Sequence, residues 1–157
     1  MPGCGLLKAD VGSGLLPWWW AEERLIASRI YWLVSVWPDG RRHAMPVWGL
    51  WHEGTFWFSS SNGSRKARNF AGDPRCVVMT EDAMDPAVME GTAELVTEPA
   101  ALVRIPALEN TKYETSYTID LLDPSVNSVY RVRPLWAFGL RHDNLTGSPT
   151  RWNFTEC

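Results

Sequence analysis

Hydrophobic and polar positions along this chain alternate in short blocks broken by proline, glycine and aspartate, the pattern of many brief strands with a few helices between them. Residues 1–16 are rich in glycine and lack periodicity, which predicts a flexible leader. Pro17 suits the first turn of a helix. After it, residues 18–27 read as a short amphipathic helix, with Trp18, Leu25 and Ile26 near one face and Glu22, Glu23 and Arg24 mostly elsewhere. From Ile30 the run is β-branched and aromatic until Pro38-Asp39-Gly40, which reads as a turn. Residues 42–51 form the next predicted strand. His43, Met45, Val47, Gly49 and Trp51 lie on one face, and Ala44, Pro46, Trp48 and Leu50 on the other. Pro46 removes a ladder donor, so an edge, a bulge or a ligand is expected there. His52-Glu53-Gly54 is a tight turn and residues 55–60 return, completing an antiparallel meander.

A helix rich in basic residues follows and ends near Asp73-Pro74. Residues 75–80 read as a fourth strand, and residues 87–96 as a fifth with a bulge at Glu90-Gly91. Residues 98–113 have helical spacing, and Pro106 is expected to kink or split them. Residues 121–125 read as loop. Residues 126–133 and 135–141 read as two strands around Pro134, and residues 150–154 as a short strand or extended tail. There is no internal repeat. Six or so antiparallel strands with short helices suit a closed barrel better than an open sheet, so the expected class is mainly β.

Composition narrows the function more than the fold. The 157 residues fit one domain, taken as residues 17–157, and 45% hydrophobic with 21% charged residues is ordinary for a soluble protein. A net charge of -3 at pH 7 gives no global attraction for nucleic acid or acidic membranes, so any anion site must be local. Ten tryptophans are the anomaly, and tryptophan is enriched where proteins meet one another or a planar ligand. Cys4, Cys76 and Cys157 are odd in number and far apart, against both a disulfide framework and a zinc site. No run is long enough to span a membrane, and no secretion signal accompanies the acceptor patterns at Asn144 and Asn153. The expectation is a reduced, cytoplasmic chain without a metal.

The segment Ser59-Ser60-Ser61-Asn62-Gly63-Ser64-Arg65-Lys66-Ala67-Arg68-Asn69-Phe70 carries the clearest chemistry. An aromatic strand runs into small polar residues and then into a helix with Ser64 as a plausible N-cap. Arg65, Lys66 and Arg68 fall in the first turn and a half, where the helix dipole disfavours cations. They make sense if an anion sits on the exposed N–H groups with the cations closing around it. A solvated basic face is the plainer alternative.

The series Tyr31-Trp-Leu-Val-Ser-Val-Trp-Pro-Asp-Gly, His43-Ala-Met-Pro-Val-Trp-Gly, Phe58-Ser-Ser-Ser and Ser64-Arg-Lys-Ala-Arg-Asn resembles the flavin and deazaflavin-dependent oxidoreductases. These share the split β-barrel fold of pyridoxamine 5'-phosphate oxidase. Asp73-Pro74-Arg75, the run from Val88 to Val96, Trp136-Ala-Phe-Gly and Thr150-Arg-Trp extend the likeness over most of the domain. The resemblance implies a homodimer with the cofactor in a groove at the subunit interface. Its phosphate would lie on the Ser-Arg-Lys segment and its ring against Pro46, Val47 and Trp48, with His43 and Met45 on the same strand. Ser59, Ser60, Ser61, Ser64, Arg65, Lys66 and Asn69 are the implied contacts to the phosphate and ribityl arm. The chain looks nearest to the branch that uses coenzyme F420 rather than FMN. It departs from the pattern at Arg42, where a proline is expected, and at Pro106.

The resemblance implies that a bound flavin or deazaflavin does the hydride transfer, which would account for the absence of a hydrolase, zincin or Walker motif. No catalytic side chain is assigned. Plainer readings stand beside the implied ones: Pro46, Val47 and Trp48 as core, His43 as an edge-strand histidine, and Asn69 as a cap or surface residue. Trp136 and Trp152 suit either a dimer seam or a substrate wall. Tyr31, Tyr113 and Arg141 are conceivable substrate contacts, and Arg41, Arg42 and Arg68 suit an oligoglutamate tail. The expected activity is hydride transfer from reduced F420 to a small unsaturated or quinone-like substrate. The alternatives are an FMN-dependent, pyridoxamine-phosphate-oxidase-like enzyme and a non-catalytic carrier of the coenzyme. The acidic balance disfavours a nucleic-acid-binding barrel.

Overall fold

Blocks of aromatic and β-branched residues six or seven long make strands the dominant element. The computed structural model describes residues 13–118 and 123–154. Helix α1 (Trp18–Ala27) leads into β1 (Tyr31–Val36), β2 (Arg42–Val47), β3 (Leu50–His52) and β4 (Thr55–Ser61). Then come α2 (Arg65–Gly72), β5 (Arg75–Thr80), β6 (Ala87–Leu95), α3 (Pro99–Tyr113), β7 (Asn127–Gly139) and β8 (Thr150–Asn153). All eight strands among the described residues join one sheet in the order β2-β1-β5-β6-β7-β4-β3, with β8 on β7. Their pairings are antiparallel.

Strands β2 and β3 end that order on opposite sides, yet only Trp48 and Gly49 separate them in the chain. The sheet therefore curls back on itself, giving the expected split barrel. The strand expected over residues 42–51 is two strands, and Gly49 is the reason. A Cβ there would lie 2.4 Å from Phe56 Cζ and 2.6 Å from the Trp57 carbonyl oxygen, so only glycine lets the corner close. Pro46 lies on the edge strand β2, one of the placements expected from its missing donor.

One further expectation is corrected and another is narrowed. Strand β7 runs unbroken through Pro134, because Gly91 of β6 pairs with Pro134 while the neighbouring Glu90 pairs with Trp136. Leu135 is the extra residue of that bulge, so the proline sits where the ladder is already interrupted. Helix α3 is not split at Pro106 but continues through it as one helix. Ala101 and Ile105 anchor it in a small apolar cluster with Leu50, Trp57, Val96 and Val129, and this docking outweighs the hydrogen bond the proline removes.

The main core lies inside the curl and is led by Tyr31, Leu33, Phe56, Phe58, Val78, Met89 and Val132. Most of the expected leader lies outside the described residues. Its last part is fastened down: the Gly14 N–H donates to the Gly147 carbonyl (3.0 Å), and the Leu16 N–H donates to Thr150 Oγ1 (2.9 Å). Leu16 is itself in the core, so the packed body starts earlier than Pro17. Among the described residues no helix is long and apolar enough to cross a membrane, and no group of three potential ligands forms a metal cluster.

Candidate functional site

Strand β4 ends at Ser61, and the Asn62-Gly63 turn delivers Ser64 as the N-cap of α2. Its side-chain oxygen accepts from the Ala67 N–H at 3.2 Å and lies 2.9 Å from the Ser60 hydroxyl. The three cations of this helix then part company. The Arg65 guanidinium lies over the Trp37 ring at 3.8 Å, and Arg68 donates to the Gly63 carbonyl at 2.7 Å. Lys66 enters a groove, and burial lowers its pKa. It has no hydrogen-bond or ion-pair partner among the described residues.

That groove has a volume of about 330 Å³. From β2 and the corner after it come Pro46, Val47 and Trp48, from β4 the three hydroxyls Ser59, Ser60 and Ser61, from α2 Lys66, and from β7 Asn127. Helix α3 supplies Pro106, Glu109, Asn110 and Tyr113, and Thr115 and Tyr117 follow it. The four α3 residues are spaced as one stripe of a helix. Trp48 stacks on Tyr113 with centroids 4.5 Å apart and planes within 7°.

Polar contacts beneath this stack lock the corner to the helix. The Tyr113 hydroxyl accepts from the Gly49 N–H and donates toward the Arg29 carbonyl, each at 2.8 Å. The Lys112 ammonium donates to the Gly49 carbonyl at 2.9 Å and to the Tyr31 oxygen at 2.6 Å. Burial, with help from Arg29, pulls the Lys112 pKa down to about 8. Burial also pushes Tyr31 and Tyr113 upward. Glu109 is pushed up to about 7 by burial, although the Ser59 hydroxyl (3.4 Å) and Lys112 both pull the other way.

Seven of the residues expected to hold a cofactor thus meet in one groove: Pro46, Val47, Trp48, Ser59, Ser60, Ser61 and Lys66. Five do not line it. His43 is half-buried with its ring edge toward Trp37 at 6.2 Å, and Met45 is exposed at the sheet edge. Ser64 caps α2, Arg65 lies on Trp37, and buried Asn69 donates to the Ser35 hydroxyl at 2.9 Å. Tyr31 is core, Arg141 pairs with Asp143, and Trp152 packs edge-on to Trp18 at 5.5 Å. Half-buried Trp136 lies under the Arg151 guanidinium at 4.7 Å. Arg41 pairs with Asp39 at the β1–β2 turn, and Arg42 is exposed beside it. Sequence reasoning missed Glu109, Asn110, Thr115, Tyr117 and Asn127. The polar stripe along α3 was the available signal for the first two.

An aromatic wall, three hydroxyls and a cation without a partner in one groove suit a flat ring that carries an anionic arm. The chain belongs to the pyridoxamine 5'-phosphate oxidase family, whose model matches residues 21–129. No curated protein sequence matches it. Several solved structures share the fold. A conserved hypothetical protein of Mycobacterium tuberculosis is 23% identical with a TM-score of 0.73, covering 96% of this chain and 97% of its own. A protein described as an F420 reductase is 22% identical with a TM-score of 0.60, covering 72% and 91%. The heme storage protein HutZ of Vibrio cholerae is 19% identical with a TM-score of 0.59, covering 73% and 84%.

Proposed function

We propose that the protein is a cytoplasmic, homodimeric oxidoreductase that binds the deazaflavin coenzyme F420 in this groove and passes hydride to a small unsaturated or quinone-like substrate. Lys66 is the observation that carries the reading. A half-buried ammonium without a partner among the described residues is an unmet demand for an anion, and the phosphate of the coenzyme would meet it. The hydroxyls of Ser59, Ser60 and Ser61 complete a donor set around such an arm, and Pro46, Val47 and Trp48 offer the ring an apolar wall. The bound coenzyme would supply the hydride chemistry. The protein would orient the ring and keep water from it.

The outer face of the sheet supports the dimer. Pro46, Trp32, Met79, Val88 and Phe138 stand side by side across β2, β1, β5, β6 and β7, by the register of the strands. An apolar row of this length, with Trp32 still 44% exposed, suits a second copy of the chain. Pro46 belongs to both the row and the groove, so the seam would border the cofactor.

The same Lys66 and serine set would hold the phosphate of FMN, so FMN dependence is the second reading. Titration of the purified apo-protein with F420 and with FMN separates the two, with Trp48 beside the groove to report by fluorescence quenching. Tight F420 binding with weak FMN binding is the expected result. The reverse moves the protein to FMN chemistry, and binding of neither retires the cofactor reading.

A further inference from the structure

Among the described residues Glu109 is the acidic side chain that lines the groove, and it shares that space with Lys66 and the three serine hydroxyls. Its hydrogen bond to the Ser59 hydroxyl ties it to the same strand that offers the phosphate donors. Among the described residues the charges facing it are few. Lys66 comes from α2, while Lys112 and Tyr113 come from its own helix and Tyr117 from the segment after it. β2, β4 and β7 present no ionisable side chain to the groove. The Lys112 ammonium is already engaged by the Gly49 carbonyl and the Tyr31 oxygen. Lys66 is therefore the cation available to balance whatever enters.

The charge count forces a choice. A phosphorylated ligand brings at least one negative charge, and an ionised Glu109 would add another beside it in a poorly hydrated space. Two anionic groups sharing one such site do not both stay ionised; the weaker acid is protonated. Resting on the cofactor reading above, we infer that Glu109 takes up a proton when the phosphorylated coenzyme enters, so that occupancy of the groove is coupled to pH. Once neutral, the carboxyl group becomes a hydrogen-bond donor toward the groove instead of a repelling charge. Burial has already brought Glu109 close to neutral pH, so the proton is available at little cost.

Calorimetric titration of the full chain with FMN, in two phosphate-free buffers of different ionisation enthalpy near pH 8, counts the protons taken up. Wild type should take up close to one proton more than Glu109→Gln, and its FMN affinity should fall by up to about tenfold per pH unit above neutrality while the variant stays flatter. Riboflavin, which lacks the phosphate, should erase most of the difference. Equal proton counts in wild type and variant overturn the inference. So does a wild-type uptake as large with riboflavin as with FMN, a comparison that needs no variant to fold. If neither FMN nor F420 binds either protein, the cofactor reading itself has failed, and the melting curve of Glu109→Gln separates that from misfolding.

Discussion

A cation drawn half out of water without a counterion is paid for only when an anion arrives. Replacing Lys66 with alanine should weaken FMN or F420 binding by about 10- to 100-fold, from the roughly 1.5–3 kcal/mol typical of a charge-assisted contact. The melting temperature should hardly move, because Lys66 has no partner to lose among the described residues; unchanged affinity would remove the anchor. Glu109 makes a separate prediction about stability. Its pKa rises from 4.5 to about 7 on folding, so the folded chain keeps a proton that the unfolded chain releases. That stabilisation is complete below the unfolded value and is lost as pH rises through about 7. Glu109→Gln should therefore melt higher than wild type in mildly alkaline buffer, with the gap closing in acid; a gap independent of pH would refute it. Lys66 and the serines were legible in the sequence because they follow one another along a strand and a helix start. Glu109 was not, because its role depends on which way α3 faces, and that is fixed by Tyr113 against Gly49, 64 residues apart.

Elements were legible wherever their signals were local. Strand β5 and helix α1 match the expected bounds, since period, turn residues and breakers all lie within a few residues of each other. The errors fell where a residue answers to a distant neighbour, as at Gly49 and Pro134, whereas the bulge expected at Glu90-Gly91 is present. Gly49 is set by Phe56 and Trp57 across a hairpin, and Gly91 by Arg133 on another strand. A Cβ on Gly91 would stand 2.2 Å from the Arg133 carbonyl oxygen, a backbone atom that cannot swing aside. Gly91→Ala should cost about 1–3 kcal/mol or more through overpacking, seen as an earlier denaturant midpoint. A midpoint equal to wild type would mean that the β6–β7 bulge can shift register. Pro134 misled the expectation for a like reason: it sits in β7 beside the extra residue Leu135, where the pairing with Glu90 and Gly91 of β6 is already interrupted.

For the whole molecule, the sheet's apolar outer row and the groove share Pro46, so assembly and ligand binding should fail together. Trp32→Asp puts a charge in the middle of the row at an exposed position, where the fold should tolerate it. Light scattering after gel filtration should then report a monomer, and the monomer should bind FMN or F420 far more weakly. A dimer that survives this change has its seam elsewhere, and a monomer with full affinity has a groove that needs no partner. The corner at Trp48-Gly49 also has a kinetic consequence. It joins the two ends of the strand order, so the curl closes only after strands from distant parts of the chain have found each other. Folds dominated by such distant pairings refold in roughly milliseconds to seconds rather than microseconds. The groove, with walls drawn from residues 46 to 127, is then among the last features to form during refolding. Ligand added to the unfolded chain should speed its refolding little while slowing its unfolding.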